Sequence, residues 1–383
     1  MSEYQYYEFA AIDRPLTAGE KAELRAISSR ARISATSFVN SYDFGDLKAD
    51  PLKLLDRYFD VLVYVANWGT RRFALRVPKR LIDLQAIEPF HLDDDLALVR
   101  TAGENVIISI TRDEIEDDEW DDESGHLAAL APLRADLLAG DMRLFSLLWL
   151  AQVENGWIRD EAVEPAPGLT DMSDGLAALG EFLAIDPDLI EAACPRSAAR
   201  SSKEPTPQEI EDFIRALPER EKVALLVRLC SGGDPHLSAE LRQRCQKAHR
   251  HADVAVPQRT AGELRAAARL IAEKRARAAQ EKARAERLAR EQREAREREQ
   301  RLSALAGRGE AVWRDVEEFI GLRNTAGYER AATLLADLGT IAGNCGEQES
   351  FARRLAELRA RHERKGQFIK RLKDIGLVGS QAA

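Results

Sequence analysis

Cysteine is scarce in this chain: four residues in 383, Cys194, Cys230, Cys245 and Cys345, scattered along its second half. That usage excludes a disulfide scaffold and fits a reducing compartment. The opening residues, MSEYQYYEFAAIDRP, carry neither a basic n-region nor an apolar h-region, so no signal peptide is expected. No uninterrupted apolar run approaches the ~20 residues that span a bilayer. The expectation is a cytoplasmic protein that does not enter membranes. Catalytic signatures are missing too. There is no Gly-x-Ser-x-Gly elbow, no cysteine in an activating context and no glycine-rich phosphate loop. "SGGDP", Ser231 to Pro235, is too short and too proline-bound to cradle a phosphate. No catalytic residue, cofactor or metal is therefore assigned. A net charge of −9 argues against a simple basic nucleic-acid binder.

What is present is a globular composition, 45% apolar, in a chain long enough for two or three domains. Residues 1–112 alternate strand-like and helix-like patterns. Tyr4 to Ile12 is aromatic and β-prone. Thr17 with Glu20 forms a capping box that opens a helix to about Arg30. Ile33 to Tyr42 reads as a strand, and Pro51 suits the first turn of a short helix. Phe59 to Ala66 and Arg71 to Val77 read as strands joined by a tight turn, and Leu96–Arg100 with Asn105–Thr111 as a further hairpin. The fold class implied is an α+β domain on a largely antiparallel sheet, with a ferredoxin-like element order.

The rest reads as helical. "DEIEDDEWDDESG", residues 113–125, is an acidic, solvated linker. Residues 126–257 carry helix-period apolar faces and form an α-helical domain, with Thr206 and Glu209 as a second capping box. Residues 258–306 are almost wholly Ala, Arg, Glu, Lys, Gln and Leu, and predict a long charged helix of roughly 70 Å at ~1.5 Å per residue. Glu273–Arg277, Glu286–Arg290, Glu294–Arg298 and Glu297–Arg301 stand at i,i+4 spacing. A heptad register places Leu264, Ile271, Ala278, Ala285, Gln292 and Glu299 at a, and Ala267, Lys274, Glu281, Leu288, Ala295 and Leu302 at d. Half of that seam is alanine or charge, so both a solvated single helix and a coiled-coil homodimer are open readings. Residues 307–383 read as a helical-hairpin module. Ala331, Leu334, Leu335 and Leu338 form one stripe, and Phe351, Leu355, Leu358 and His362 the facing one.

Several groups invite a site. Cys230, His236, Cys245, His249 and His251 lie close together, and Cys245 with His249 share a helical face, but the spacing matches no standard zinc motif. "HLDDD" after Phe90 reads as a polar loop rather than an acid–base pair. The acidic linker could meet the basic part of the long helix, or each could be solvated alone. The best candidate is "YVANWGTRRFALRVP", Tyr64 to Pro78. Gly69 supplies the positive φ of a tight turn, and strand alternation sets Arg72 and Arg76 on one sheet face with Arg71 on the other. Trp68 caps the core or sits over an arginine. Trp68, Arg71, Arg72 and Arg76 are the expected partner-binding residues.

Two resemblances bear on function. "YQYYEFAAIDRPLT", "SSRARISATSFVNSYDFGDLKADP" and "YVANWGTRRFALRVP" resemble an uncharacterised family of bacterial proteins, which implies no activity. From Tyr328 to Leu377 the chain resembles the helical tail of bacterial SWIM zinc-finger proteins, through Tyr328, Ala331, Leu334, Leu335, Asp337, Leu338, Phe351, Arg354, Leu355, His362, Lys365, Arg371 and Leu372. The finger's Cys-x-Cys and Cys-x-His pairs are absent, so no zinc or DNA function carries over. That likeness implies a protein-contact module, with components of SWIM-finger and helicase-type systems as partners by analogy. The reading that follows is a non-enzymatic scaffold or adaptor. The alternatives are an enzyme with its site on the N-terminal sheet, and a nucleic-acid-associated protein using the basic part of the long helix.

Overall fold

The computed structural model describes residues 3–115, 125–169, 172–194, 205–232, 234–249 and 259–377. The centre of the acidic linker, the segment before Pro205 and His251 lie outside these residues. The chain divides into two compact units, Met1–Arg275 and Ala276–Ala383. No helix among the described residues is long and apolar enough to cross a membrane.

The first unit is built on β1 (Gln5–Ala10), β2 (Arg32–Ile33), β3 (Ser37–Tyr42), β4 (Val61–Ala66), β5 (Arg71–Pro78), β6 (Ala97–Ala102) and β7 (Asn105–Arg112). They form one seven-stranded sheet in the order β2-β3-β1-β4-β5-β7-β6, and every pairing is antiparallel. The expected strand-helix-strand order is embedded in this larger sheet. Helix α1 (Ala18–Ile27) starts on the Thr17–Glu20 capping box, and α2 (Pro51–Tyr58) on Asp50 with proline in its first turn. The single strand expected over Ile33–Tyr42 is instead a tight β2–β3 pair, because Ser34 to Thr36 turn the chain through Ser34 N–H to the Ser37 carbonyl.

The sheet is covered on both faces. Phe9, Phe38, Leu62, Tyr64, Ala74 and Ile107 point to the side of α1 and α2. Val63, Phe73, Leu75, Val77, Ile108 and Ile110 point to the other. There they share a core with α3 (His126–Leu130), α4 (Pro132–Leu138), α5 (Arg143–Glu154), α6 (Asp174–Phe182) and α7 (Pro187–Ala193). Helices expected to stand apart as a domain over 126–257 are thus one folding layer with the sheet. Strand β4 is apolar on both faces for that reason. A trio, α8 (Pro207–Ala216), α9 (Glu219–Cys230) and α10 (Leu237–His249), follows, and α8 begins on the Thr206–Glu209 capping box.

Helix α11 runs unbroken from Ala261 to Arg308. Its first turns bury Ala261, Leu264 and Ala268 in the first unit's core, and every residue from 272 to 301 is exposed. Of the expected i,i+4 pairs, Glu286 and Glu294 reach back to Lys282 and Arg290 instead of forward, and Arg287 pairs with Glu291. In the second unit α12 (Glu310–Gly321), α13 (Thr325–Cys345), α14 (Gln348–Arg361) and α15 (Gly366–Asp374) enclose a separate core of Val316, Ile320, Leu335, Leu358, Phe368 and Leu372. The two expected stripes face this core, and His362 closes it with Nε2 2.7 Å from Glu317 Oε2.

Phe9 packs its ring 5.0 Å from Phe59 and 5.7 Å from Phe38 at the centre of the α1–α2 face. Phe9→Ala should lower unfolding stability by about 3–5 kcal/mol in urea titration; a loss below about 1 kcal/mol would remove this cluster from the core's supports.

Candidate functional site

The β4–β5 hairpin forms as its sequence dictates, but its surroundings change its meaning. Gly69 adopts φ +88°, and Gly69 N–H closes the turn on the Ala66 carbonyl at 3.0 Å. Asn67 Oδ1 accepts from Tyr4 N–H at 2.9 Å, and Ile115 N–H donates to the Gly69 carbonyl at 3.1 Å. A Cβ at Gly69 would stand 2.6 Å from the Ile115 carbonyl oxygen, so only glycine fits both the dihedral and the close approach. The turn is therefore clamped on both sides, with Trp68 half exposed at its tip.

The three arginines take the faces that alternation predicts, yet the face of Arg72 and Arg76 is not half-solvated. Arg71 donates to the Phe182 carbonyl at 3.0 Å and lies over that ring. Arg72 sends Nε to Thr111 Oγ1 at 3.1 Å and lies over Tyr64, whose phenol burial pushes up to about 12. Arg76 donates to Asp60 Oδ1 at 2.7 Å and to the Asp56 carbonyl at 2.8 Å. The rings that meet arginine are Phe182 and Tyr64, not Trp68. What the alternation pattern missed is that α1 and α2 cover the second face, which turns Arg76 into an interior residue.

Arg76 belongs to a buried charge cluster that no local pattern announces. Asp60, 1% exposed, accepts from Ile12 N–H at 2.6 Å and Asp13 N–H at 2.9 Å on Oδ2, and from Arg76 and Arg134 on Oδ1. Arg134, from α4, forks onto Asp13 at 2.8 and 2.7 Å and sends Nε to the Arg76 carbonyl at 2.8 Å. His236, just before α10, brings Nε2 to 2.9 Å from Asp13 Oδ2. A carboxylate can only accept, so this ring nitrogen carries the proton. A second cluster adjoins it. Asp234 pairs with Arg80 at 2.6 Å and with Arg228, and Glu240 takes Arg228 at 2.7 Å and Arg80 at 3.3 Å. Gln243 completes the attachment, donating to the Leu81 and Leu138 carbonyls at 3.0 and 2.8 Å.

Chemically this cluster is closed. Both oxygens of Asp13 and both of Asp60 are engaged, so neither carboxylate is presented to a substrate. Burial pushes the Asp13 carboxyl up, but the hydrogen bonds from His236 and Arg134 and the Arg134 charge outweigh it and hold it well below the ordinary range. A cleft of about 410 Å³ beside Lys79 and Arg80 has Gln243 on its wall, with both Nε2 donations already made.

Of the metal-spaced residues, His251 and the side chain of His249 lie outside the described part of the structure, and the other three can be placed. Cys230 is exposed at the end of α9 rather than buried, Cys245 is buried beside the Glu209 carbonyl at 3.5 Å, and His236 is committed to Asp13. Among the described residues no three His, Cys, Asp or Glu side chains gather to hold an ion. "HLDDD" is a turn, with Asp93 Oδ1 accepting from Asp95 N–H at 2.9 Å.

Among the described residues, one surface open to a ligand on the α8–α10 trio is apolar. Neither α8 nor α9 buries a residue fully. On α9, Val223, Leu226, Val227 and Leu229 are 52%, 58%, 58% and 64% exposed. At 3.6 residues per turn these four share roughly half of the helix circumference. Comparison with protein-family models, curated proteins and solved structures finds no match.

Arg134→Ala removes the cation that Asp13 and Asp60 share, leaving them His236 and Arg76, and should cost about 3–5 kcal/mol. Arg76→Ala should cost about 1.5–3 kcal/mol, and Arg72→Ala less; equal effects at 72 and 76 would deny the added weight of the Arg76–Asp60 ion pair. Because Asp13 titrates lower in the folded than in the unfolded chain, where its pKa is about 3.9, the clamp's stabilisation is complete above that value. It is lost as pH falls further, through the folded pKa. Asp13→Asn should flatten this acid limb in pH-resolved melting, and an unchanged limb would exclude Asp13 as its source.

Proposed function

We propose that this protein is a non-enzymatic adaptor that acts in the cytoplasm and binds a helix of a partner protein on the outer face of α9. The observation that carries the reading is the α9 stripe. Four large apolar side chains, each more than half exposed, stand together on a helix whose subdomain is fixed to the sheet by charge. Such a contiguous patch is what protein-binding surfaces supply and what isolated surface leucines do not. An apolar helical face takes another amphipathic helix most economically, through i, i+3, i+4 anchors. The closed Asp13–Asp60 cluster and the internally bonded arginines of β5 speak against the enzyme alternative and against Arg72 and Arg76 as the contact surface.

The C-terminal likeness to SWIM-finger proteins makes components of such systems the first partners to test. The adaptor further works as a pair of copies joined through α11, whose exposed heptad positions include Leu288.

Leu226→Asp with Val227→Asp should leave the melting temperature within a few degrees, since both side chains are exposed. Tagged wild-type and variant chains are compared for capture of native-host proteins. A partner held stoichiometrically by wild type and lost at least tenfold in the variant is the expected result. Equal capture by both would overturn α9 as the contact.

A further inference from the structure

In the second unit the C-terminal half of α11 and the C-terminal half of α13 enclose an open groove of about 660 Å³. The helices are tied by Arg301 to Asp337, 2.6 Å apart, with Leu305 buried beside them. From there Ala295, Leu302 and Ile341 line the groove together with Glu291, Glu294, Glu299 and Arg298, so its charged lining is net acidic. Ala295 and Leu302 are heptad-spaced, and the next position along the same line is Leu288, which is 54% exposed. The stretch that carries Leu288 is basic: Arg277, Lys282, Arg284, Arg287 and Arg290 stand against Glu281 and Glu286. A net acidic groove and a basic helical stretch with one exposed leucine thus lie in series on one polypeptide.

We infer that the groove seats the α11 of a second copy of this chain, antiparallel, with Leu288 of the second copy against Ala295. The inference rests on the pairing of copies proposed above and assigns its site. Two-fold symmetry makes the contact reciprocal, so each copy gives a leucine and receives one. Large opposite small is what close helix packing requires, and the alanines flanking Leu288 permit it. The register then follows from counting. Four residues before Leu288 and four after Ala295, Arg284 of one copy comes opposite Glu299 of the other. Both are exposed, and neither has an ion-pair partner among the described residues of its own chain. In the same register Glu294 comes opposite Ala289, one residue from Arg290 and two from Arg287 of the second copy. A parallel, in-register pairing would set Leu288 beside Leu288 and Arg284 beside Arg284, so that this arginine would meet its like rather than Glu299. A different basic helix would satisfy the groove's charge but not the reciprocal burial of Leu288.

The test is the mass of the full chain by light scattering on a sizing column, across concentrations up to about 100 μM, a range that reveals even weak pairing. Wild type should form a dimer that loosens as salt rises. Glu294→Arg with Glu299→Arg should weaken it at least tenfold, and so should Arg284→Glu with Arg290→Glu, since each puts like charges across the seam. Mixing the two variants should restore a heterodimer, because each then meets its complement. Leu288→Asp should weaken pairing in every combination. Circular dichroism checks that these exposed positions leave the helix formed. A wild-type dimer indifferent to all these changes would overturn the groove as its site while leaving the pairing itself. A wild-type monomer throughout would overturn both, and α9 capture would still stand or fall on its own assay.

Discussion

An ionised carboxylate with only 1% of its surface exposed must be compensated where it stands, and Asp60 sets that requirement at the centre of the first unit. It sits just ahead of β4, and the groups that answer it come from the chain after β1, from β5 and from α4. Those contacts join the sheet to the layers on both of its faces. Arg134 then extends the arrangement, because its fork is shared with Asp13, and Asp13 in turn holds His236 at the entrance to α10. One buried charge thereby reaches through two others to position a helical trio more than a hundred residues away in sequence.

This manner of attachment explains why α9 keeps its apolar residues outward. A helix normally docks by burying its apolar stripe. Here the trio is held to the rest of the unit chiefly by the polar His236, Asp234, Glu240 and Gln243, with Leu237 buried and Ala239 packed on the core beside them. The apolar side chains of α9 are not needed for docking and remain available. Polar docking also has a directional consequence. Ion pairs and amide hydrogen bonds fix orientation more strictly than apolar contact, so the exposed stripe is presented at a defined angle. The same closure of the network that denies Asp13 and Asp60 to a substrate gives the exposed α9 face a fixed base.

What the sequence reveals and what it hides divide along physical lines. Both capping boxes, the β4–β5 hairpin, the positive φ of Gly69 and the extent of α11 follow from interactions within a few residues, and all of them are legible in the chain. The alternating pattern of β5 also sends Arg71 and Arg72 to opposite faces correctly. It fails over burial: Arg76 on a strand looks like a solvent-facing residue until α2 and Asp60 cover it. The Asp13–Arg134 and Asp13–His236 contacts join residues with no periodic relation, so no spacing rule finds them. Cys230 errs in the other direction. It ends an apolar helix and so reads as buried, yet α9 turns that face to solvent.

Helix α11 shows how a weak apolar pattern and a strong charge pattern can cooperate. Its heptad seam is too rich in alanine and charge to drive a stable coiled coil by burial. A tight apolar zipper would also leave the partners little reason to respect register, since leucines interchange along a seam. An excess of basic residues around Leu288, set against a net acidic groove lining, reverses that balance. In the pairing inferred above, apolar contact supplies modest affinity, while charge decides direction, because the antiparallel alignment brings Arg284 toward Glu299 in both halves at once. Exposed ion pairs are individually worth under about 1 kcal/mol, so such an association is reversible and sensitive to ionic strength. The scarcity of leucine in α11 is therefore compatible with specific pairing, because register is carried by the charges and only affinity by the apolar seam.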